Sequence, residues 1–512
     1  MNLLAIAAFG FLFLRADRTV SWLVVPEGDV AFSLAIALGQ IPLLMVAGAL
    51  VSGRTRRLLA RDRESSDPVE RAQAFHHRAT SLLRVAILIG FGASVFLTRW
   101  PDLFQFGAIS PELQILGDFI TLSPFVMGLV VLWWITFPAE LALRDEEGLL
   151  DGQDKDEKPK GLSFGAYLDF NIRHHLLVAA VPITLILFAS NLTRGYEEPL
   201  QSLFGQKWAP DILLGIVAFF VFVIAPVILR RVWRTTPLEP GPVRDQLEAL
   251  CAKVGLRCRE ILVWHSDDMI INAAVMGLFP SVRYVLLSDG LLATMNARQI
   301  QAVFGHEAGH IRHRHLQHFL VFALVGWLVV AGLMECLARF FYEPGGSGGL
   351  SLFSIQVIGV VATVVFWGVG FGWISRRFER QADLFGARCV APDAAECAVP
   401  CSVHVDGATS TSSDGRVCAT GATVFTSALD RVAALNGIPH EERSWRHSSI
   451  GSRVRFLNSL AGDPARTVRF ERLLRRVTRG LMATALIGCA CAAAYYVEFG
   501  EPILLRANAS GR

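Results

Sequence analysis

Residues 306–315 read HEAGHIRHRH, and from Phe319 the chain turns apolar as far as Tyr342. On a helix, positions i and i+4 stand one turn apart on the same face, so His306 and His310 can offer two imidazoles to one metal ion. Glu307 then lies beside the metal rather than on it. There it is placed to take a proton from a water that zinc acidifies to a pKa of about 7. Ala302, Val303, Ala308 and Gly309 are small or apolar, so this helix can pack closely. Asn296 reads as its N-cap, with Gln299 three residues on as in a capping box. His313 and His315 read as solvated or interfacial. If the helix runs directly into the apolar stretch, His310 stands nine residues before it, which puts the metal within roughly 14 Å of a membrane surface.

The composition fits that picture. The 512 residues are 53% hydrophobic and 18% charged, with a mean hydropathy of +0.44. That is too apolar for an ordinary soluble protein and too charged for a bare bundle of spans, so a membrane protein with one substantial polar domain is expected. The net charge of +3 gives no sign of a nucleic-acid partner. Residues 1–14 are apolar but lack a basic leading region and a small-residue cleavage site, and are not read as a removed signal peptide.

Apolar runs able to span a bilayer lie at 32–51, 85–98, 119–138, 176–189, 212–229, 319–342, 352–374 and 481–497, with 3–14 as a shorter ninth candidate. The runs 85–98 and 176–189 reach full length only by extending over flanking polar residues, whose Arg and His can snorkel. Seven arginines between 52 and 81 assign that loop to the cytoplasmic side. Alternation then returns both long polar segments, 230–318 and 375–480, to that side. The expected organisation is a multi-span region (1–229), a first polar part (230–318), a helix pair (319–374), a second polar part (375–480) and a last span with a short tail (481–512).

Within the polar part, 243–254 has helical spacing and 260–264 reads as a short strand. Residues 269–276 and 282–287 flank a turn and read as a β-hairpin. A free hairpin edge beside a metal can take up an extended peptide as an added strand, with its backbone lying at Asn272 and Ala273. A purely structural hairpin is the alternative. After the second span of the pair comes SRRFERQADLFG, with Glu379 and Asp383 at i and i+4. Two intervening spans bring Glu379 back to the side of His306, where it can complete a His₂Glu site with its fourth position open. Asp383 is then placed to hold a ligand imidazole or assist proton transfer. Glu335 and Arg339, one turn apart in the span, read as a structural pair.

These motifs resemble the membrane-embedded zinc metallopeptidases of the M48 type, which include the type I CaaX prenyl protease and the bacterial heat-shock membrane protease. The likeness covers roughly 243–460 and runs through INAAVMG, RYVLLSDGLL, HEAGHIRHRH, RRFERQADLFGAR, TSALDRVAALNG and RHSSIGSRVRFL. It implies a predominantly α-helical multi-pass membrane protein of about eight or nine spans, with a small α+β zincin-like metallopeptidase domain on the cytoplasmic face. One zinc ion per chain is implied, on His306, His310 and Glu379, with Glu307 as general base and Asp383 as the second acidic residue. It further implies that Asn272 contacts substrate backbone and that His447 stabilises an oxyanion, supported by Arg453. The implied substrate is a membrane-associated peptide or protein, misfolded or lipid-modified, and the implied location a bacterial cytoplasmic (inner) membrane.

Three features depart from the family pattern. His447 is followed by Ser448, where the family usually has proline. An insertion at roughly 390–421 carries Cys397, Cys401 and Cys418, with Cys389 at its edge. A loop of free thiols is the leading expectation there, because the spacing matches no familiar metal ribbon and a cytoplasmic placement disfavours disulfides. Residues 1–229 carry no family signature. Two other classes fit less well. A transporter would need ionisable residues deep in its spans, which hold almost none. An inactive metal-binding scaffold would lack one of His306, Glu307, His310 or Glu379, and all four are present.

Overall fold

A computed structural model describes residues 2–16, 29–60, 67–150, 163–205, 209–267, 269–342, 349–392, 396–397, 401, 403–404, 416–436, 438–442, 445–461 and 463–500. The chain falls into two compact units that divide between Trp233 and Arg234.

The first unit is helical: α1 (Asn2–Ala16), α2 (Val30–Leu59), α3 (Asp67–Phe96), α4 (Gln114–Leu150), α5 (Phe164–Asn171), α6 (Val178–Gly195), α7 (Glu197–Phe204) and α8 (Ala209–Val232). A π turn at Ile172–Leu177 joins α5 to α6. Phe9, Ile87, Phe91, Phe125, Leu129 and Trp133 are buried at its centre, while Leu43, Val46 and Leu50 on α2 point outward. Large exposed aliphatics along long helices are what lipid, rather than water, would cover.

The second unit contains α9 (Pro242–Val254), α10 (Asp289–Thr294), α11 (Ala297–Arg312), α12 (His315–Phe341), α13 (Leu352–Val365), α14 (Gly372–Cys389), α15 (Ala419–Leu435), α16 (Ile450–Ala461) and α17 (Pro464–Phe499). Its four-stranded sheet comprises β1 (Thr235–Pro237), β2 (Glu260–Trp264), β3 (Ala273–Met276) and β4 (Tyr284–Ser288), in the order β1-β2-β4-β3. The central strand β4 is buried throughout, which its run YVLLS suits. It pairs parallel with β2 and antiparallel with β3. Gly277 (φ +108°) makes the hairpin turn, and a Cβ there would collide with the Val282 carbonyl. Arg283 pins the same turn by donating to the carbonyls of Leu278 and Arg257, both at 2.9 Å.

Among the described residues, eight helices are long and apolar enough to cross a membrane, so the chain is a multi-pass, predominantly helical membrane protein. They coincide with the eight apolar runs, but the helices are longer. Val30–Leu59 continues through Arg54, Arg56 and Arg57, the short run at 85–98 overlaps the end of a 26-residue candidate span, Arg71–Phe96, and the run at 176–189 sits inside one of 32 residues, Phe164–Gly195. Residues 3–14 lie in α1, which is apolar but only 15 residues long. Glu335 and Arg339 find partners on α17. Glu335 accepts from the Tyr495 hydroxyl, and the Arg339 guanidinium sits 4.1 Å from the centre of the Phe499 ring.

The contact that positions everything else in the second unit is α11 against α14. Small residues meet there: a Cβ on Gly309 would lie 3.0 Å from the Ala382 Cα, and one on Gly386 3.0 Å from the His306 nitrogen. Two backbones can approach this closely only without side chains between them. Leu384, Ala387, Phe304, Ala308 and Phe425 close the core around the seam. Gly386→Val is therefore expected to force the helices apart. Overpacking of this kind costs about 1–3 kcal/mol, so the variant should unfold at a lower temperature in detergent and retain less metal than the wild type.

Candidate metal centre

Helix α11 starts with the capping box that its sequence suggests: the Asn296 side chain accepts from the Gln299 N–H, and the Gln299 side chain accepts from the Asn296 N–H. This fixes the phase of the helix and presents His306 and His310 on one face. Their Nε2 atoms lie 3.2 Å apart. Opposite them, α14 presents Glu379, with Oε2 3.6 Å from His306 Nε2 and Oε1 3.8 Å from His310 Nε2. One ligand atom from each residue thus converges on a single point, within 4.8 Å of the others. The donor set is two imidazole nitrogens and one carboxylate, which suits a divalent ion such as zinc and leaves a coordination position open.

Each imidazole is held from behind. His306 Nδ1 lies 2.9 Å from Asp383 Oδ1, and Arg453 braces that carboxylate through two donors at 2.9 and 2.5 Å. Asp383 is buried, with 1% exposure. This carboxylate–histidine pairing fixes the tautomer that frees Nε2 for a metal. The resemblance sets Arg453 behind His447 at the substrate side; in the structure its Nε and Nη2 both donate to Asp383.

His310 is held by a residue that the sequence reading left at the surface. His315 is 1% exposed, stacks on Phe378 at 4.3 Å and 2°, and places Nδ1 2.9 Å from His310 Nδ1. Its Nε2 lies 3.0 Å from Gln381 Oε1, and Gln381 Nε2 lies 3.2 Å from His313 Nδ1. With a metal on His310 Nε2, every proton in this chain has one consistent place. His310 Nδ1–H donates to His315, His315 Nε2–H donates to Gln381, and the Gln381 amide donates to His313. The arrangement depends on a break between α11 and α12, where Arg314 adopts the left-handed conformation (φ +54°). The two helices are therefore not one continuous rod, and the 14 Å height reckoned along a straight helix does not apply.

Charge in the site follows burial and proximity. Burial works against a charged His306, but the Asp383 and Glu379 carboxylates outweigh it and raise its pKa to about 10. Burial pulls His310 down to about 3, aided by the charge on His306. Burial pushes the Glu307 carboxyl up to about 7, with a backbone hydrogen bond from Val275 working the other way. A group poised near neutrality can both accept and return a proton.

That contact with Val275 sets Glu307 against β3, which is an edge strand of the sheet. Ser288 N–H donates to the Asn272 carbonyl, so Asn272 bonds toward β4. Bonds alternate sides along an antiparallel ladder, so Ala273 and Val275 turn their N–H and C=O groups to the free edge. Asn272 itself is exposed, and its Oδ1 accepts from the Ala273 N–H at 2.9 Å. His447 lies on the other side of Glu379, with Nδ1 3.1 Å from Oε2 and the side chain 45% exposed. Its segment is anchored by Trp445, which donates to the Gly368 carbonyl at 2.6 Å, and by Arg376, which donates to the Trp445 carbonyl at 2.9 Å. The π turn Phe366–Phe371 that supplies Gly368 interrupts the span leading into α14.

The HExxH helix is thus joined to a downstream glutamate across a helix pair long and apolar enough to cross a membrane. Residues 237–459 match the model of peptidase family M48, which bears out the resemblance read from the sequence. Over 198 residues the chain is 28% identical to a protein named "Protease HtpX homolog" from Pyrobaculum calidifontis, covering 36% of this chain and 55% of that one. Over 144 residues it is 26% identical to "CAAX prenyl protease 1" from Saccharomyces cerevisiae, covering 27% of this chain and 32% of that one. The chain thus spans about half the length, or less, of these curated relatives. The crystal structure of Ste24p from S. mikatae superposes with a TM-score of 0.45 at 17% identity, covering 84% of this chain and all of that one.

Two outcomes are expected of the centre. In Arg453→Met, Asp383 is left buried with His306 as its remaining partner, which costs up to about 3–5 kcal/mol. Loss of this outer support should weaken metal binding about 10- to 100-fold, read by competition with a chromophoric chelator. In metal-free protein, His306 binds a proton in the folded state that it lacks unfolded between about pH 6.5 and about 10. Its contribution to stability is whole below that window and fades as pH rises through it. From about one unit above the Glu307 midpoint near 7, the melting temperature of chelated protein should fall toward pH 10. Metal affinity should rise over the same range, because the metal competes with that proton.

Proposed function

We propose that the chain is a zinc-dependent endopeptidase that hydrolyses peptide bonds of membrane-associated or misfolded proteins at the cytoplasmic face of a bacterial inner membrane. The observation that carries this reading is the convergence of His306, His310 and Glu379 on one point, with Glu307 beside a free strand edge. The matched family and the protease names of the relatives support the reaction class. The arginines at 52–81 support the side of the membrane.

Zinc bound at the three ligands supplies Lewis acidity, both to water and to the scissile carbonyl. The residues of the chain do the rest. An extended substrate adds to the edge of β3, pairing with the outward carbonyls of Ala273 and Val275 and displacing the Asn272 and Glu307 side chains that their N–H groups bond. Glu307 takes a proton from the attacking water and delivers it to the leaving amine nitrogen, a transfer its near-neutral pKa allows in both directions. His447, exposed and adjacent to Glu379, donates to the oxygen on which negative charge develops. Asp383 and Arg453 keep His306 in one tautomer while this happens.

A second reading, processing of lipid-modified C-termini, is favoured by the name of the yeast relative. Paired assays separate the two. Glu307→Gln should keep its metal and lose cleavage by about 10²- to 10⁴-fold, whereas Glu379→Ala should lose the metal itself. Normal cleavage by Glu307→Gln would remove the peptidase reading. Cleavage just after a cysteine a few residues from a peptide's C-terminus, only when that cysteine carries a farnesyl thioether, would move the assignment to C-terminal processing.

A further inference from the structure

The insertion between α14 and α15 brings together four residues that the peptidase reading does not use. Cys397 Sγ lies 3.7 Å from Cys401 Sγ and 3.8 Å from Cys418 Sγ, and Cys401 and Cys418 are 3.8 Å apart. His404 Nδ1 closes the figure at 3.2 Å from Cys401 Sγ and 3.9 Å from Cys418 Sγ. All four ligand atoms lie within 4.8 Å of one another. Cys389 stands apart, against Gly305 in the α11–α14 seam.

The distances have a specific meaning. A tetrahedral zinc ion with Zn–S bonds of about 2.3 Å holds its thiolates about 3.8 Å apart, and with a Zn–N bond of about 2.0 Å the imidazole nitrogen stands about 3.5 Å from each sulfur. The three sulfur separations meet the first value, and the two nitrogen separations straddle the second. A disulfide would need two sulfurs about 2.0 Å apart, and it would leave the third thiol and the histidine unexplained. Cys401 and Cys418 are buried, together with Ala391 and Val403, in a small cluster of their own. Three thiols and an imidazole nitrogen meeting there are a poor way to fill an apolar pocket and a good way to hold a soft cation.

We propose that Cys397, Cys401, His404 and Cys418 form a second metal site, a closed Cys₃His centre for zinc that is structural rather than catalytic. All four positions are taken by protein, so none is left for water or substrate. Cys418 is the N-cap of α15. The site fastens the inserted segment to the start of α15. Two turns further on, Phe425 packs against Gly386 and lies 6.2 Å from the His306 ring. The cross-link thus steadies the helix that backs the first centre. The insertion is then a small metal-closed module rather than a loop of free thiols.

The test is a cobalt titration of the full-length, chelator-stripped protein in detergent under anaerobic conditions. Wild type should take up two Co²⁺ per chain, one of which gives the near-ultraviolet thiolate-to-cobalt charge-transfer band. Glu379→Ala should bind one and keep the full band. Cys401→Ser/Cys418→Ser should lose the band and bind one fewer ion. If that variant fails to fold, the wild-type band, its bleaching by added Zn²⁺, and the metal-dependent shielding of three thiols from a thiol reagent decide the matter. A wild type with no thiolate band, whose thiols react equally with and without metal, would overturn the site. A single ion with the band, kept in Glu379→Ala, would leave this site standing and remove the metal from the first centre.

Discussion

Two helices can bring a glutamate to two histidines only if their backbones nearly touch. The approach of α11 to α14 across Gly305, Gly309, Ala382 and Gly386 is the constraint from which the rest of the centre follows. A larger side chain at any of these four positions would move Glu379 away from the imidazoles by more than a metal site tolerates. The price is a pair of polar helix faces pressed together out of water. It is met by giving each buried polar group a partner: Asp383 and Arg453 behind His306, His315 and Gln381 behind His310, His447 beside Glu379. An unpaired charge in that position would cost more than the packing returns.

Burial and neighbouring charge explain why the two histidines differ. His306 faces the Asp383 and Glu379 carboxylates and tends to hold a proton; His310, buried beside the charge on His306, does not. Both arrangements leave Nε2 aimed at the same point once His306 gives up its Nε2 proton and keeps the one on Nδ1. The site is therefore built to be neutralised by a cation, and it is electrostatically unsettled without one.

Much of this was legible in the chain. HExxH at helical spacing, the Asn296–Gln299 cap, and a glutamate two spans downstream are local patterns, and each names its own geometry. The hairpin followed from the two apolar runs at 269–276 and 282–287 on either side of a turn. What escaped were contacts made by residues whose sequence neighbourhood says something else. His315 sits in a run of His and Arg that reads as a wet helix end, and it becomes buried only because Arg314 takes a left-handed turn, which arginine does not advertise. Arg453 looked substrate-directed because its motif lies beside His447, yet its partner is 70 residues away on α14. In the insertion, counting cysteines alone hid a cluster whose fourth member is His404, and whose last member lies 14 residues beyond it.

The most direct test of the account is an anomalous-diffraction map of the zinc-loaded protein at the zinc edge. It should show a peak bonded to Nε2 of His306 and His310 at about 2.0–2.1 Å and to a Glu379 oxygen at about 2.0–2.2 Å, with one coordination position facing Glu307 and the edge of β3. A peak lacking Glu379, or no peak between α11 and α14 in protein that contains stoichiometric zinc, would contradict it.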